Sequence, residues 1–159
     1  MDDAERATAR NVTHQFGFML RVAQSAVWQN LIATFEPFSI KPQQYALMSL
    51  IDLYPGSTLD SLAQELRIRA PNLVGFVEDL ASRGLVVRRK RPNDRRVNVL
   101  NLTAPGQALL AELKIADDGH ERTLFETLGP ARLDALMDDL RKLATLDLPS
   151  ELPPSARRE

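Results

Sequence analysis

The 159-residue chain contains no cysteine, an absence that excludes several classes of function. Without a thiol there is no disulfide, no thiolate metal ligand, no cysteine nucleophile and no thiol-based redox sensor. The chain has only two histidines, His14 and His120, although Asp117, Asp118 and Glu121 surround the second in sequence. A solvated acidic helix explains these carboxylates better than a metal site does, so we expect no metal and no cofactor.

The chain also lacks a long apolar run, and aromatic residues make up only 6% of it. No segment approaches the roughly 20 apolar residues of a membrane span, and the N-terminal stretch MDDAERATAR is charged where a signal peptide would be apolar. With 44% hydrophobic and 26% charged residues, the composition is typical of a soluble protein of one domain. We therefore expect a cytoplasmic protein with no membrane partner.

Positive charge is concentrated in one stretch of a chain whose formal net charge is only -1. Residues 83–96 contain seven lysine and arginine residues and a single acid, Asp94. Because binding to a polyanion depends on the local field, the small total charge does not argue against a nucleic-acid partner. The alternative for such a stretch is a solvated charged turn.

Six segments repeat apolar residues at steps of three and four, which predicts six helices. The first covers residues 8–34. The start signals of later helices are Pro42, Ser57 or Thr58, Ala70-Pro71, and Thr103 with Pro105. Residues 67–69 separate two short helices that each have one apolar face, as a helix-turn-helix requires. Gly84 stands where the second of them would end.

Two β-rich stretches, residues 85–87 and 97–102, flank Arg91-Pro92-Asn93-Asp94, whose residues favour turns. The segment is therefore a predicted hairpin with a charged tip. The predicted fold is mainly α with a small β-hairpin wing, a winged helix-turn-helix over residues 42–103. The tail at 149–159, rich in proline and charge, is expected to be mobile.

The flanking helices at 8–34 and 104–146 have more apolar surface than one small winged helix can cover. An exposed apolar stripe of that size usually marks an interface. Homodimerisation through these N- and C-terminal helices is the economical solution. We expect the whole chain, 1–159, to form one domain with itself as a partner.

The segment DRRVNVLNLT, residues 94–103, resembles the wing of the MarR family of winged helix-turn-helix regulators, in which a D-x-R pattern precedes a strand ending in Leu-Thr. The stretches LASRGLVVRR, before the wing, and TAPGQALL, after it, match the same family in order. The resemblance covers nearly the whole chain, from about residue 10 to 146. It implies a homodimeric DNA-binding transcriptional regulator, often a repressor, that a small ligand commonly releases from its operator.

The second short helix would enter the major groove with Arg69, Pro71 and Asn72 near its start. Asn72 could pair with an adenine edge, and Arg69 could reach guanine or phosphate. The alternatives are that Arg69 contacts only the backbone of DNA and that Asn72 only supports the start of the helix. Two such helices related by a two-fold axis predict double-stranded DNA with an inverted-repeat operator, its half-sites roughly 34 to 36 Å apart.

The family pattern also assigns roles within the wing. By that pattern Arg96 enters the minor groove, where negative potential is concentrated, and Asp94 orients it through a charge-assisted pair. Arg91 and Arg95 would then face phosphates.

Candidate effector residues lie on the first two helices. His14 and Arg21 are seven residues apart on one face, among aromatic residues that include Trp28. An arginine among aromatic rings could hold a carboxylate while the rings pack on a flat ligand, and Tyr45 and Met48 could complete the wall. The alternative is that Arg21 makes an intersubunit ion pair or points to water and that the rings belong to the core.

The stretch GFMLRVAQSAV is similar to regulators of aromatic-acid catabolism, including those that sense hydroxycinnamates or their coenzyme A thioesters. This similarity implies a small effector of aromatic or phenolic type.

Two other classes of protein compete with this interpretation. Some small-molecule methyltransferases carry a winged-helix dimerisation domain, but such enzymes need a catalytic domain with a glycine-rich cofactor loop, which the chain lacks. No Ser-His-Asp set or pair of catalytic carboxylates is evident either, so we expect no enzyme. A dimeric winged-helix protein-interaction module that does not bind DNA is the remaining alternative, and the wing arginines argue against it.

Overall fold

The computed structural model describes residues 15–145 with the exception of Pro92. The elements, in chain order, are α1 (Phe16–Phe35), a 3-10 turn (Glu36–Phe38), α2 (Pro42–Leu53), α3 (Leu59–Glu65), α4 (Ala70–Ser82), β1 (Val86–Arg91), β2 (Asp94–Leu102), α5 (Ala104–Leu128) and α6 (Pro130–Ala144). The predicted class, mainly α with a β-hairpin, is confirmed. The first seven residues of the predicted helix at 8–34, with His14 among them, and the tail at 149–159 lie outside the described residues.

Threonine hydroxyls cap the N-terminal ends of α3 and α5, as the sequence predicts. The Thr58 hydroxyl oxygen accepts a hydrogen bond from the Ser61 amide at 3.2 Å, and Thr103 Oγ1 accepts one from the Gly106 amide at 3.1 Å. Both bonds satisfy first-turn amides that have no partner within the helix. After α4, Gly84 has a φ of 69°, the left-handed conformation that often ends a helix.

The two strands form an antiparallel hairpin that is longer than the apolar stretches predict. The strands continue through the basic run to residues 91 and 94 because the main chains pair there while the charged side chains are exposed. Asn93 nevertheless lies in a turn, as its residue type predicts. One further bridge, in which the Leu100 amide donates to the Ser57 carbonyl oxygen at 2.9 Å, joins the wing to the residues before α3.

The core is formed by the helix-turn-helix, the end of α1, the base of the wing and the first half of α5. Its fully buried side chains are Phe35, Leu47, Met48, Ile51, Leu62, Leu73, Val77, Leu80, Leu110 and Leu113. On α4 the buried residues recur at steps of four and three, so the opposite face of that helix remains in solvent.

The start of α5 packs tightly against the base of the wing at Gly106. A Cβ at this position would overlap the carbonyl oxygen of Leu85, the residue that precedes β1. The same carbonyl oxygen accepts a hydrogen bond from the Thr103 amide at 3.0 Å. Only glycine permits so close a backbone approach, and the contact fixes the wing relative to α5.

The described residues divide into two compact units, one that ends at His120 and one that begins at Glu121. The first unit contains the winged helix-turn-helix together with α1 and the greater part of α5. In the second, the described residues comprise the end of α5 and α6. Its helices leave several large apolar side chains exposed, namely Phe125, Leu128, Leu136 and Met137.

Candidate nucleic-acid interface

The N-terminal end of α4 presents the predicted contact residues to solvent. Arg69, Pro71 and Asn72 are all exposed, whereas Leu73 and Val77 have no exposed surface. Pro71 lies in the first turn, where its fixed φ suits a helix and its missing amide costs nothing. The structure thus brings these three residues together at one end of α4, with the apolar side of the helix anchored in the core.

The wing carries its terminal arginines on a bulge. Lys90 pairs with Asn98 and Arg91 pairs with Asp94, so the register shifts and residues 95–97 are extra residues in β2. A bulge bends its strand and changes the direction of the side chains that it carries. Both arginines of the bulge are exposed, as is Arg91 across the turn.

Asp94 stabilises this bulge through the main chain. Its Oδ1 accepts a hydrogen bond from the Arg96 amide at 3.0 Å. The expected ion pair between the two side chains is absent from the ion pairs of the described residues, so that expectation is corrected. The short aspartate side chain reaches a backbone amide two residues on, as in an Asx turn, and the Arg96 guanidinium remains exposed to solvent.

Additional cations extend the basic surface beyond the predicted contacts. Arg88, Arg89 and Lys90 are exposed along β1, and consecutive residues of a strand point to opposite faces. Since Asp94 is the one acid between residues 83 and 96, positive charge surrounds the wing tip.

A groove of about 710 Å³ runs between the exposed side of α4 and the α1–α2 connection, residues 36–41. Its lining consists of Ser39, Lys41, Gln44, Asn72, Gly75, Phe76, Asp79 and Arg83. The sequence pattern singles out Asn72 but gives no role to Lys41, Gln44 or Arg83. Gln44 is buried and its side chain donates to Asp79, 35 residues further along the chain, so its role appears only in the folded protein.

A second cavity, of about 750 Å³, lies beside Trp28 between α1 and the start of α2. It is lined by Trp28, Gln29, Ile32, Ala33, Glu36, Ser39, Ile40, Lys41, Pro42 and Gln43. Its volume is within the range of roughly 300 to 1,000 Å³ that small-molecule sites occupy. Of the predicted effector residues that the structure describes, Trp28 alone lines this cavity.

The remaining predicted effector residues occupy different environments. Arg21 is exposed on α1, about 10.5 Å along the helix axis from Trp28. Met48 has no exposed surface and packs in the core, so its side chain cannot reach a ligand in this conformation. The structure therefore does not bring Met48 into one site with Trp28.

Tyr45 is partly buried and joins α2 to α5. Its hydroxyl donates a hydrogen bond to Asp117 Oδ2 at 2.8 Å, and its ring lies 4.6 Å from that of Phe35, centre to centre. Burial, followed by the hydrogen bond to Asp117 and the negative charge of that group, raises the pKa of Tyr45 well above its usual value. The hydroxyl is therefore engaged within the protein and keeps its proton.

His120 joins α5 to α1 through a side-chain contact. Its Nδ1 lies 2.6 Å from Asn30 Oδ1, and the imidazole is buried. Within residues 15–145, Pro92 aside, no three histidine or acidic side chains come close enough together to hold a metal ion. The same part of the chain has no helix whose length and apolarity would allow it to cross a membrane.

A helix-turn-helix whose second helix exposes its polar side, next to a basic hairpin, defines the class of winged helix-turn-helix DNA-binding regulators. Comparison with known proteins gives the family. The profile of the MarR family matches residues 40–97. The HTH-type transcriptional regulator FarR of Neisseria gonorrhoeae is 34% identical over 123 residues, which are 74% of this chain and 83% of FarR.

Two further comparisons extend the likeness over most of the chain. A putative transcriptional regulatory protein for the hcr operon of Thauera aromatica is 29% identical over 144 residues, 90% of this chain and 86% of that protein. The solved structure of the transcriptional repressor CouR bound to a 23-mer DNA duplex matches with a TM-score of 0.80 and 35% identity, over 83% of this chain and 94% of CouR.

CouR bound to p-coumaroyl-CoA matches with a TM-score of 0.77 and 32% identity, over 84% of this chain and 94% of CouR. The chain belongs to the MarR family, as its wing motif predicts, and is a transcriptional regulator of the winged helix-turn-helix type.

Proposed function

We propose that this protein is a homodimeric repressor that binds an inverted-repeat operator and leaves it when a small aromatic ligand binds. The observation that carries the DNA part is the bulged wing tip, which exposes Arg95 and Arg96 in a chain whose α4 exposes its polar N-terminal end. The solved complex of CouR with a DNA duplex supports the same reading. Action on a chromosomal operator requires a cytoplasmic location.

In this proposal α4 enters the major groove and the wing reaches the adjacent minor groove. Asn72 hydrogen-bonds an adenine edge, Arg69 contacts guanine or phosphate, and Pro71 holds the start of the helix against the DNA. Arg96 enters the minor groove while Arg91 and Arg95 bind phosphates. Asp94 keeps the tip in shape through the Arg96 amide.

We assign residues 42–103 to the winged helix-turn-helix and the flanking helices, 8–34 and 104–146, to dimerisation, all within one MarR-like domain. Exposed apolar side chains on α1 support this assignment: Phe16, Met19, Leu20, Val22, Val27 and Ile32. Phe16 is 64% exposed, which is unfavourable for a ring of that size in water. A two-fold dimer buries the same patch on both copies.

The effector is assigned to the cavity beside Trp28. An indole and the aliphatic side chains of Ile32 and Ile40 suit a flat aromatic ring, and Lys41 provides a cation for a carboxylate or a phosphate group. An aromatic acid or its coenzyme A thioester has both features, and CouR has been solved with p-coumaroyl-CoA. We propose that Arg21, two helical turns from Trp28, contacts a ligand that extends beyond the cavity. His14, a further seven residues before Arg21, stays a prediction.

Selection of duplexes from a random DNA pool, followed by fluorescence anisotropy, tests the DNA part. Enriched sequences should be inverted repeats. If six to eight cations of a dimer meet phosphates, log K should fall against log[salt] with a slope of roughly -5 to -7. No enrichment, together with a flat salt response, would favour a protein-interaction module instead.

Trp28, the single tryptophan of the chain, offers a direct test of the effector site. Titration with p-coumaroyl-CoA, p-coumarate and unesterified coenzyme A should change Trp28 fluorescence only for compounds that bear the aromatic ring. The same compounds should release the selected duplex. Fluorescence changes without release, or release without any change at Trp28, would contradict this site.

A further inference from the structure

The α1–α2 connection, residues 36–41, borders both the cavity beside Trp28 and the groove along α4. Ser39 and Lys41 line the cavity beside Trp28, and the same two residues line the groove along α4. A ligand in the first cavity therefore contacts a short segment whose other side faces the helix that we assign to DNA recognition.

Arg83, the residue that follows α4, holds this connection through two hydrogen bonds. Its Nη1 donates to the Ser39 carbonyl oxygen at 2.7 Å, and its Nη2 donates to the Phe38 carbonyl oxygen at 3.1 Å. The planar fork of a guanidinium suits two neighbouring acceptors, which lysine could not satisfy in the same way. Ser39 has a φ of 54°, a region that serine rarely adopts, so the arginine binds a segment in an unfavourable backbone conformation.

A second path links the same connection to the last turn of α4. The Lys41 amide donates to Gln44 Oε1 at 2.9 Å, and Gln44 Nε2 donates to Asp79 Oδ2 at 2.7 Å. Gln44 is 3% exposed, so the loss of either bond would leave a buried polar group unsatisfied. Asp79 Oδ2 also lies 3.8 Å from Arg83 Nη1, which closes a ring of polar contacts between the connection and α4.

We infer that Arg83 is a positioning residue that transmits occupancy of the Trp28 cavity to the recognition helix α4. The inference rests on the function proposed above and names how that function is regulated. A ligand that displaces residues 38–41 must either break the two Arg83 bonds or move the end of α4 with them. In the second case the ligand and DNA prefer different positions of one helix, and the coupling acts in both directions.

A double-substitution cycle tests this coupling without knowledge of the natural ligand. Ala33 lines the cavity and is exposed, so Ala33→Phe places a ring in the cavity and imitates a ligand. In an otherwise unchanged protein, Ala33→Phe should weaken binding to the selected duplex at least about tenfold. In an Arg83→Gln background the same substitution should weaken it less than about threefold, because the link to α4 is lost.

Lys114→Gln is the matched control. It removes the 2.9 Å ion pair of Lys114 with Asp52, which also joins two helices but borders neither cavity. In this background Ala33→Phe should keep its full effect. Asp79→Ala serves as the second variant if Arg83→Gln does not fold, as judged by its melting temperature, and should also reduce the effect.

The reverse direction is read from Trp28. Binding of the selected duplex should change the acrylamide quenching of Trp28 fluorescence in the unchanged protein but not in Arg83→Gln, with saturation of the duplex confirmed by anisotropy. A purely structural role of Arg83 would lower the melting temperature and leave this signal in place.

The outcomes separate the two proposals. If the unchanged protein selects no duplex, the proposed function fails, and the coupling fails with it. If it binds DNA but Ala33→Phe has no effect, or has the same effect with and without Arg83, the coupling is wrong and the proposed function stands.

Discussion

The hydroxyl of Tyr45 donates a 2.8 Å hydrogen bond to Asp117, which lies 72 residues further along the chain. The bond joins a helix of the winged helix-turn-helix to the long helix α5. Because the pKa of Tyr45 is raised in the folded protein, folding favours the protonated phenol. The stabilisation that follows is fully present below the usual tyrosine pKa of about 10 and is lost as the pH rises above it.

Tyr45→Phe should therefore flatten the alkaline part of the stability profile. As the pH rises above about 10, the free energy of unfolding should fall more steeply for the unchanged protein than for Tyr45→Phe. At neutral pH the substitution should lower the free energy of unfolding by about 1 kcal/mol, since it removes one partly buried hydrogen bond. Denaturant titrations at each pH provide the measurement.

Tyr54→Phe is the control for this experiment, because Tyr54 is the other tyrosine of the chain and is 50% exposed. At neutral pH, Tyr54→Phe should change the free energy of unfolding by less than about 0.5 kcal/mol, as most substitutions of exposed side chains do. Equal slopes for Tyr45→Phe and the unchanged protein would contradict the raised pKa of Tyr45 in the folded protein.

Gly106→Ala should destabilise the protein by about 3 kcal/mol or more, because the new Cβ would overlap the Leu85 carbonyl oxygen and backbone must move. Thermal and denaturant unfolding measure the loss. Gly119→Ala, on the same helix with open space around its Cβ position, should leave stability unchanged or raise it by up to about 1 kcal/mol. Similar losses at both positions would show that the close approach of α5 to the wing is wrong.

Arg96→Ala should weaken binding to the selected duplex at least about tenfold, since the exposed bulge would lose its minor-groove cation. Anisotropy at fixed ionic strength measures the affinity, and gel filtration checks that the variant keeps its size. Arg132→Ala removes an exposed arginine from α6 and should change the affinity less than about threefold. An unchanged affinity for Arg96→Ala would remove the wing from the proposed interface.

Substitutions at Asp94 distinguish its charge from its hydrogen bond. Asp94→Asn keeps an acceptor for the Arg96 amide and removes a negative charge next to DNA, so the affinity should be unchanged or higher. Asp94→Ala removes the same charge together with the acceptor. The affinity for the duplex should then fall, because the bulge loses the hydrogen bond that stabilises it. Higher affinity in both variants would mean that the charge alone matters.

Much of the fold is predictable from neighbouring residues. Thr58 and Thr103 each cap a helix through an amide three residues away, and Gly84 ends α4 by its own conformation. Such signals act over a few residues, so they can be recognised without knowledge of the tertiary fold. The exposed wing arginines are predictable from the local charge and the turn residues beside them, and the exposed start of α4 from the apolar periodicity of that helix.

The candidate ligand site is less predictable. The apolar periodicity of residues 8–34 correctly places Arg21 and Trp28 on one helix, but the cavity is completed by residues 36–43, which that periodicity does not include. Met48 shares the α2 helix with Tyr45, yet its side chain faces the core. The register shift in the wing cannot be predicted from the sequence either, because the pairing of β1 with β2 decides which residues form the bulge.

The sequence by itself determines the helix and strand order, the helix-turn-helix and the position of the positive charge, because these depend on side-chain periodicity, capping and local composition. Tertiary structure alone decides that Arg83 binds the carbonyl oxygen of Ser39, 44 residues away, and that two cavities share one short connection. The physical reason is that such contacts form only when elements distant in the chain pack together, and packing selects among many faces that the sequence pattern leaves equivalent.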